Sequence, residues 1–164
     1  MTNIQFLKMH GLGNDFVIID NRKHMLNLSA SQIRGLSNRK RGIGCDQLIT
    51  MEISKTNADI KMRIYNSDGS EVGACGNAAR CIGRLMMDEK NNTQVQIEAM
   101  DRVLLATRSN ELISVNMGQA AIDWRDIPLS QKMDTISLDI NEGILKNPVA
   151  VNVGNPHMVF FVKN

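Results

Sequence analysis

Aromatic residues, cysteines, net charge and long apolar runs are all scarce in this chain, and each shortage removes a class of function. Phe, Trp and Tyr together make up 4% of its 164 residues, so no aromatic platform accompanies the basic run Arg39-Lys40-Arg41 to stack nucleic-acid bases. That run reads as a solvated helix end. The formal net charge is only +2, which steers the chain toward neither nucleic acid nor a membrane surface. A small molecule is the expected partner. No apolar run reaches the length of a membrane span, and Met1-Thr2-Asn3-Ile4-Gln5 lacks the basic segment and apolar core of a signal peptide. A cytoplasmic location is the expectation. The 3 cysteines are odd in number, form no CxxC pair and accompany histidines that do not cluster, which argues against a disulfide framework and against a metal site. Free thiols are then available for chemistry.

With 43% hydrophobic residues in 164, the chain has enough for one ordinary domain, or for one domain with part of another. Ile4 to Met9 and Asp15 to Asp20 read as strands joined by the loop His10-Gly11-Leu12-Gly13-Asn14. Ser29 opens a short helix with capping-box spacing to Gln32, which Gly42 and Gly44 end. Gln47 to Ile53 is a third strand. Ile60, Met62 and Ile64 alternate with Lys61, Arg63 and Tyr65 and lead into the turn Asn66-Ser67-Asp68-Gly69. Val95, Ile97 and Ala99 alternate in the same way, and Arg102 to Thr107 pairs with Leu112 to Met117 as a hairpin. The fold class is α+β, a mostly antiparallel sheet or roll wrapped around a central helix. A domain boundary is placed near Gly118, and the pattern weakens from there to Pro148.

The central helix carries the most informative residues. Ala78, Cys81, Ile82, Leu85 and Met86 form one apolar stripe at helical period, which turns Cys81 toward the core. Cys75 lies before the first turn, next to Gly76 and to Asn77, a residue type favoured as an N-cap. Unpaired amides and the positive end of the helix dipole gather there, which suits an anion. The dipole contributes about 0.3–1 kcal/mol, whereas one pKa unit corresponds to about 1.4 kcal/mol, so a helix end alone does not ionise a thiol. A second contributor is required. From the residues alone, Cys75 reads equally as a reactive thiol or as an inert buried one, Cys45 reads as structural, and His10 and His157 read as loop histidines.

A weak internal repeat adds an organisational clue. Gly13-Asn14-Asp15-Phe16-Val17-Ile18-Ile19 is echoed by Gly154-Asn155-Pro156-His157-Met158-Val159-Phe160, a Gly-Asn corner leading into an apolar strand. If the second copy repeats the first, its equivalent of Cys75 falls near position 216 by extension of the spacing, beyond Asn164.

Five ordered motifs then bring a family into view. Lys8 to Phe16 (KMHGLGNDF), Gly42 to Leu48 (GIGCDQL), Tyr65 to Ser70 (YNSDGS), Cys75 to Cys81 (CGNAARC) and Gly154 to His157 (GNPH) closely resemble the diaminopimelate epimerase family. The resemblance implies cofactor-independent epimerisation of LL-diaminopimelate to the meso form, in lysine and peptidoglycan precursor synthesis. It also implies a two-lobed, pseudo-symmetric enzyme, with residues 1–118 as the first lobe and 119–164 as the beginning of the second. Each lobe supplies one cysteine, because inversion at carbon needs an acid and a base on opposite faces. By position, Cys75 resembles the first catalytic thiol. Asn14, Gln47, Asn66 and Asn155 resemble polar groups that hold the substrate, Gly76 and Asn77 resemble the amides on its reacting carboxylate, and His157 resembles the histidine that tunes the thiols. The family also admits a homodimer, and its C-terminal segment returns to complete the first lobe, so an unpaired sheet edge is expected here. The partner cysteine is not among these residues, and the 164-residue form is expected to be inactive alone. The alternatives are a related two-cysteine racemase such as a proline racemase, a degenerate module that binds without catalysis, and, last, a redox pair of Cys75 with Cys81.

Overall fold

Phe16, Val17, Ile18 and Ile19 are all buried, and a strand buried on both faces has to run inside a covered sheet. The computed structural model describes residues 3–73, 75–100 and 102–163 and divides into two units, Met1–Asn116 and Met117–Asn164. The first unit contains, in order, β1 (Leu7–Gly11), β2 (Asn14–Asp20), α1 (Ala30–Ser37), β3 (Gln47–Glu52), β4 (Ile60–Asn66), β5 (Glu71–Val72), α2 (Gly76–Lys90), β6 (Gln94–Ala99), β7 (Arg102–Ser109) and β8 (Leu112–Asn116). Its sheet runs β1-β2-β3-β4-β6-β7-β8, with β5 paired to β4. Among the described residues only β2 with β3 and β4 with β6 are parallel. A parallel pair needs a crossover, and α1 and α2 supply the two.

The two helices cover opposite faces. Val17, Ile19, Leu48 and Tyr65 pack with Ile33 of α1 and with Cys45, while Ile18, on the other side of the pleat, shares a groove with Leu85 of α2. The buried stripe of α2 is wider than its sequence period, adding Ala79, Gly83 and Met87 to Ala78, Cys81, Ile82 and Met86. The reason is that the sheet curls, so that α2 touches β1, β4, β6, β7 and β8. Gly83 permits a close approach: a Cβ there would stand 2.8 Å from the Cβ of Ala106 on β7.

Local departures from the sequence reading have local causes. The first hairpin pairs as far as Gly11 with Asn14, because Leu12 (φ 54°) and Gly13 (φ 88°) form a two-residue turn in place of a longer loop. Helix α1 has the expected capping box at Ser29 and Gln32, but it ends at Ser37 and not at Gly42. The Asn38 side-chain carbonyl accepts from the amides of Lys40 and Arg41, both at 2.9 Å, and so draws the chain out of the helix.

The second unit holds β9 (Asn141–Glu142), β10 (Leu145–Lys146), β11 (Val149–Asn152) and β12 (Pro156–Val159). Its core is Ile127, Leu138 and Ala150, with Leu129, Met133 and Ile140 against them. Gly154 and Asn155 lie in the turn of the β11–β12 hairpin, as Gly13 lies in the turn of β1–β2. No helix among the described residues is long and apolar enough to cross a membrane.

Replacing Gly83 by Ala forces a methyl into Ala106, and overpacking of that kind costs about 1–3 kcal/mol. Urea denaturation of Gly83→Ala is expected to show the midpoint falling by a corresponding amount, with little change in the slope.

Candidate active site

Strand directions decide where the polar motif residues meet. Parallel β2 and β3 begin at the same end of the sheet, and antiparallel β4 finishes there, with Phe16 opposite Gln47 and Gln47 opposite Asn66. Asn14, Gln47 and Asn66 therefore share one sheet end. The β1–β2 hairpin carries this end to the start of α2, since a Cβ on Gly11 would lie 3.0 Å from the Cβ of Asn77.

Cys75 is the N-cap of α2, in extended conformation, and its side chain makes no capping bond. The thiol instead donates to Asn14 Oδ1 at 3.6 Å, across 61 residues of sequence. This corrects the reading of Asn77 as a cap. Asn77 is the second helical residue, and its side-chain oxygen accepts from Arg80 Nη2. The first intrahelical bond runs from the Ala79 amide to the Cys75 carbonyl at 2.9 Å. The amides of Gly76 and Asn77 precede it and have no acceptor within the helix, so the helix end offers donors beside the sulfur.

The orientation of Asn14 is held from behind by charge. Its Nδ2 donates to Asp46 Oδ2 at 3.2 Å, and the same oxygen accepts the Asp15 amide at 3.0 Å. Arg39 bridges the two carboxylates, reaching Asp15 Oδ1 at 2.6 Å and Asp46 Oδ1 at 2.8 Å. Lys8 closes the cluster on Asp15 Oδ2 at 2.6 Å and on the Gly44 carbonyl. The Arg39 guanidinium, with Lys8 and the Asp46 amide behind it, holds the Asp15 carboxyl far below the usual carboxylate range against an opposing effect of burial. Arg39 is thus an ion-pair residue of the site, although it is exposed like Lys40 and Arg41. Sequence reasoning missed Asp15, Asp46 and Arg39. The available signal was adjacency, because Asp15 follows Asn14 and Asp46 precedes Gln47.

At the neighbouring position Gln47 Nε2 donates to Asn66 Oδ1 at 3.0 Å. Gln47 Oε1 is buried and has no partner among the described residues. The other thiols are structural in their surroundings: Cys45 is 2% exposed with its sulfur 3.5 Å from Ser37 Oγ, and Cys81 is 5% exposed. Burial pushes the Cys81 thiol up. Asn155 and His157 belong to the second unit, where His157 Nε2 stands 3.1 Å from Asn155 Oδ1 and both residues are exposed. A thiol, two amide oxygens and a row of helix amides can together receive an ammonium, a carboxylate and the proton between them.

The family model for diaminopimelate epimerase matches residues 6–122. A diaminopimelate epimerase from Phenylobacterium zucineum (strain HLK1) is 44% identical over 162 residues, covering 96% of this chain and 58% of its own length. One from Zymomonas mobilis subsp. mobilis (strain ATCC 31821 / ZM4 / CP4) is 46% identical over 157 residues, covering 96% of this chain and 56% of its own length. The chain therefore spans less than three-fifths of these relatives. Among solved structures, a Bacillus anthracis phenazine biosynthesis protein of the PhzF family matches with a TM-score of 0.60 at 20% identity, covering 100% of this chain and 57% of that one. The last likeness concerns the fold alone.

Two measurements check the site. Brief treatment of the folded chain with iodoacetamide is expected to place one adduct, on Cys75, while Cys45 and Cys81 react only after unfolding. The second concerns acid. Asp15 titrates near 3.8 when unfolded and well below that when folded, so its contribution to stability is complete above about pH 3.8 and is lost as pH falls further. Urea unfolding at pH 6 and pH 3 is expected to show a drop in stability that shrinks in Asp15→Asn.

Proposed function

Because the chain belongs to the diaminopimelate epimerase family, we propose that the complete protein interconverts LL- and meso-diaminopimelate by carrying the α-proton between two thiols, without a cofactor. Residues 1–118 form the first lobe of that enzyme and 119–164 begin the second. The reaction supplies the meso isomer to lysine and peptidoglycan precursor synthesis. The observation that carries the reading is Cys75, placed at the N-cap of α2 with its sulfur 3.6 Å from Asn14 Oδ1.

Proton removal next to a carboxylate pushes negative charge into that carboxylate. The Gly76 and Asn77 amides are aimed to receive it, and fixed donors of this kind lower the barrier more than they strengthen ground-state binding. The α-ammonium is taken by acceptor oxygens, Asn14 Oδ1 and Gln47 Oε1. Asn66 and Asn155 hold the rest of the substrate, and His157 acts on the thiols. Cys75 serves one face of the α-carbon. The thiol for the opposite face comes from the length of the relatives that this chain does not match, near position 216 by the spacing of the repeat, so the 164-residue form does not turn over alone.

Exchange of the diaminopimelate α-proton in deuterated water tests the assignment, using protein expressed from its complete reading frame. Cys75→Ala is expected to lower exchange by about 10²-fold or more. Exchange at the unaltered rate in that variant would remove Cys75 from the mechanism.

A further inference from the structure

An amide side chain has nearly the same shape in its two flipped orientations, so hydrogen bonds alone decide whether it shows oxygen or NH₂ to a ligand. At Gln47 the choice is traceable through two residues to a carboxylate. Asp68 Oδ1 accepts the Ser70 amide at 2.8 Å and the Ser70 hydroxyl at 2.6 Å. A carboxylate has no proton to give, so the single hydroxyl proton of Ser70 is committed to it. The hydroxyl oxygen is then left as an acceptor, and Asn66 Nδ2 stands 3.2 Å from it. With its NH₂ so engaged, Asn66 turns its oxygen to Gln47 and accepts from Nε2 at 3.0 Å. Gln47 is left with a buried Oε1 that no described residue partners.

The backbone holds the relay in place. The Asn66 amide donates to the Ser70 carbonyl, and the Gly69 amide donates to the Asn66 carbonyl, both at 2.9 Å. The Ser70 hydroxyl, followed by the Ser70 amide, lowers the Asp68 carboxyl below its ordinary range, so it stays ionised at neutral pH. Flipping Asn66 would set NH₂ against NH₂ and leave the Ser70 oxygen facing a carbonyl, and flipping Gln47 would set carbonyl against carbonyl. Either arrangement leaves polar groups unpaired beside a buried atom.

We propose that Asp68 and Ser70 are positioning residues that act through Asn66 to fix the polarity of Gln47, so that the site shows the ligand a carbonyl and selects an ammonium there. The proposal rests on the reading of this site as one for an α-amino acid. It goes further in assigning the selectivity to two residues that do not touch the ligand.

The test compares dissociation constants of meso-diaminopimelate and of its analogue with the α-ammonium replaced by hydroxyl, on protein from the complete reading frame. The unaltered protein is expected to prefer the amine by about tenfold or more. Ser70→Ala is expected to shrink that preference severalfold, Ser70→Thr to restore it, and Ser67→Ala, in the same turn, to leave it alone. Circular dichroism monitors folding. Should Ser70→Ala fail to fold, Asp68→Asn serves instead, since its amide can donate to Ser70 and reverse the relay, with the same loss expected. An unchanged preference in a folded variant whose parent exchanges the α-proton would overturn the relay alone. Absence of exchange in the unaltered protein would overturn the relay together with the reading of the site.

Discussion

Burying the apolar stripe of α2 is the requirement from which the arrangement of the first unit follows. The stripe is wide enough that one flat sheet could not cover it, and the strands curl until β1 at one end and β8 at the other both touch the helix. Gly83 lets the helix sit directly on Ala106. Held along its length in this way, α2 has little freedom to slide, and the position of its first turn is set by packing about two turns away. Cys75, Gly76 and Asn77 need no contacts of their own to be placed. Their location is inherited from the core.

A second pattern is the separation of charge from the ligand groups. On the proposed reading, the side chains that face the substrate are amides and a thiol, which do not add a competing base beside a zwitterion. The charges stand behind them. Asp46, tied to Arg39 and Asp15, pins Asn14 so that its oxygen faces the sulfur, and Asp68 sets the polarity of Asn66 and Gln47 through Ser70. These ion pairs are partly exposed, and pairs of that kind contribute little to stability. Their value lies in orientation. An ionised carboxylate is an unambiguous acceptor, so it resolves the ambiguity of the amide it touches.

The two units differ in how they are made. The first has a continuous eight-stranded sheet with a helix on each face, whereas the second relies on a small cluster around Ile127, Leu138 and Ala150 and on two-stranded hairpins. The likeness to the Bacillus anthracis structure extends over the whole chain at 20% identity. An arrangement can persist through such divergence because it depends on the pattern of buried residues more than on their identities.

Periodicity was enough to locate α2, the Ile60 to Tyr65 strand and the inward turn of Cys81, because each is a local pattern repeated along a few residues. The capping box at Ser29 was legible for the same reason. The ends of elements were less so: the length of the first hairpin turn depends on positive φ at Leu12, and the end of α1 depends on which amides Asn38 captures. Motif order identified the family from sequence alone, and a thiol before a helix singled out Cys75 as the candidate. The tertiary structure decided that Asn14 turns its oxygen to Cys75 across 61 residues, that Arg39 is an ion-pair residue, and that the Gln47 oxygen is buried without a partner among the described residues. Sequence carries the identity of an amide but not its orientation, since oxygen and NH₂ are almost equal in shape. Only the hydrogen-bond partners that strand register brings alongside can choose between them.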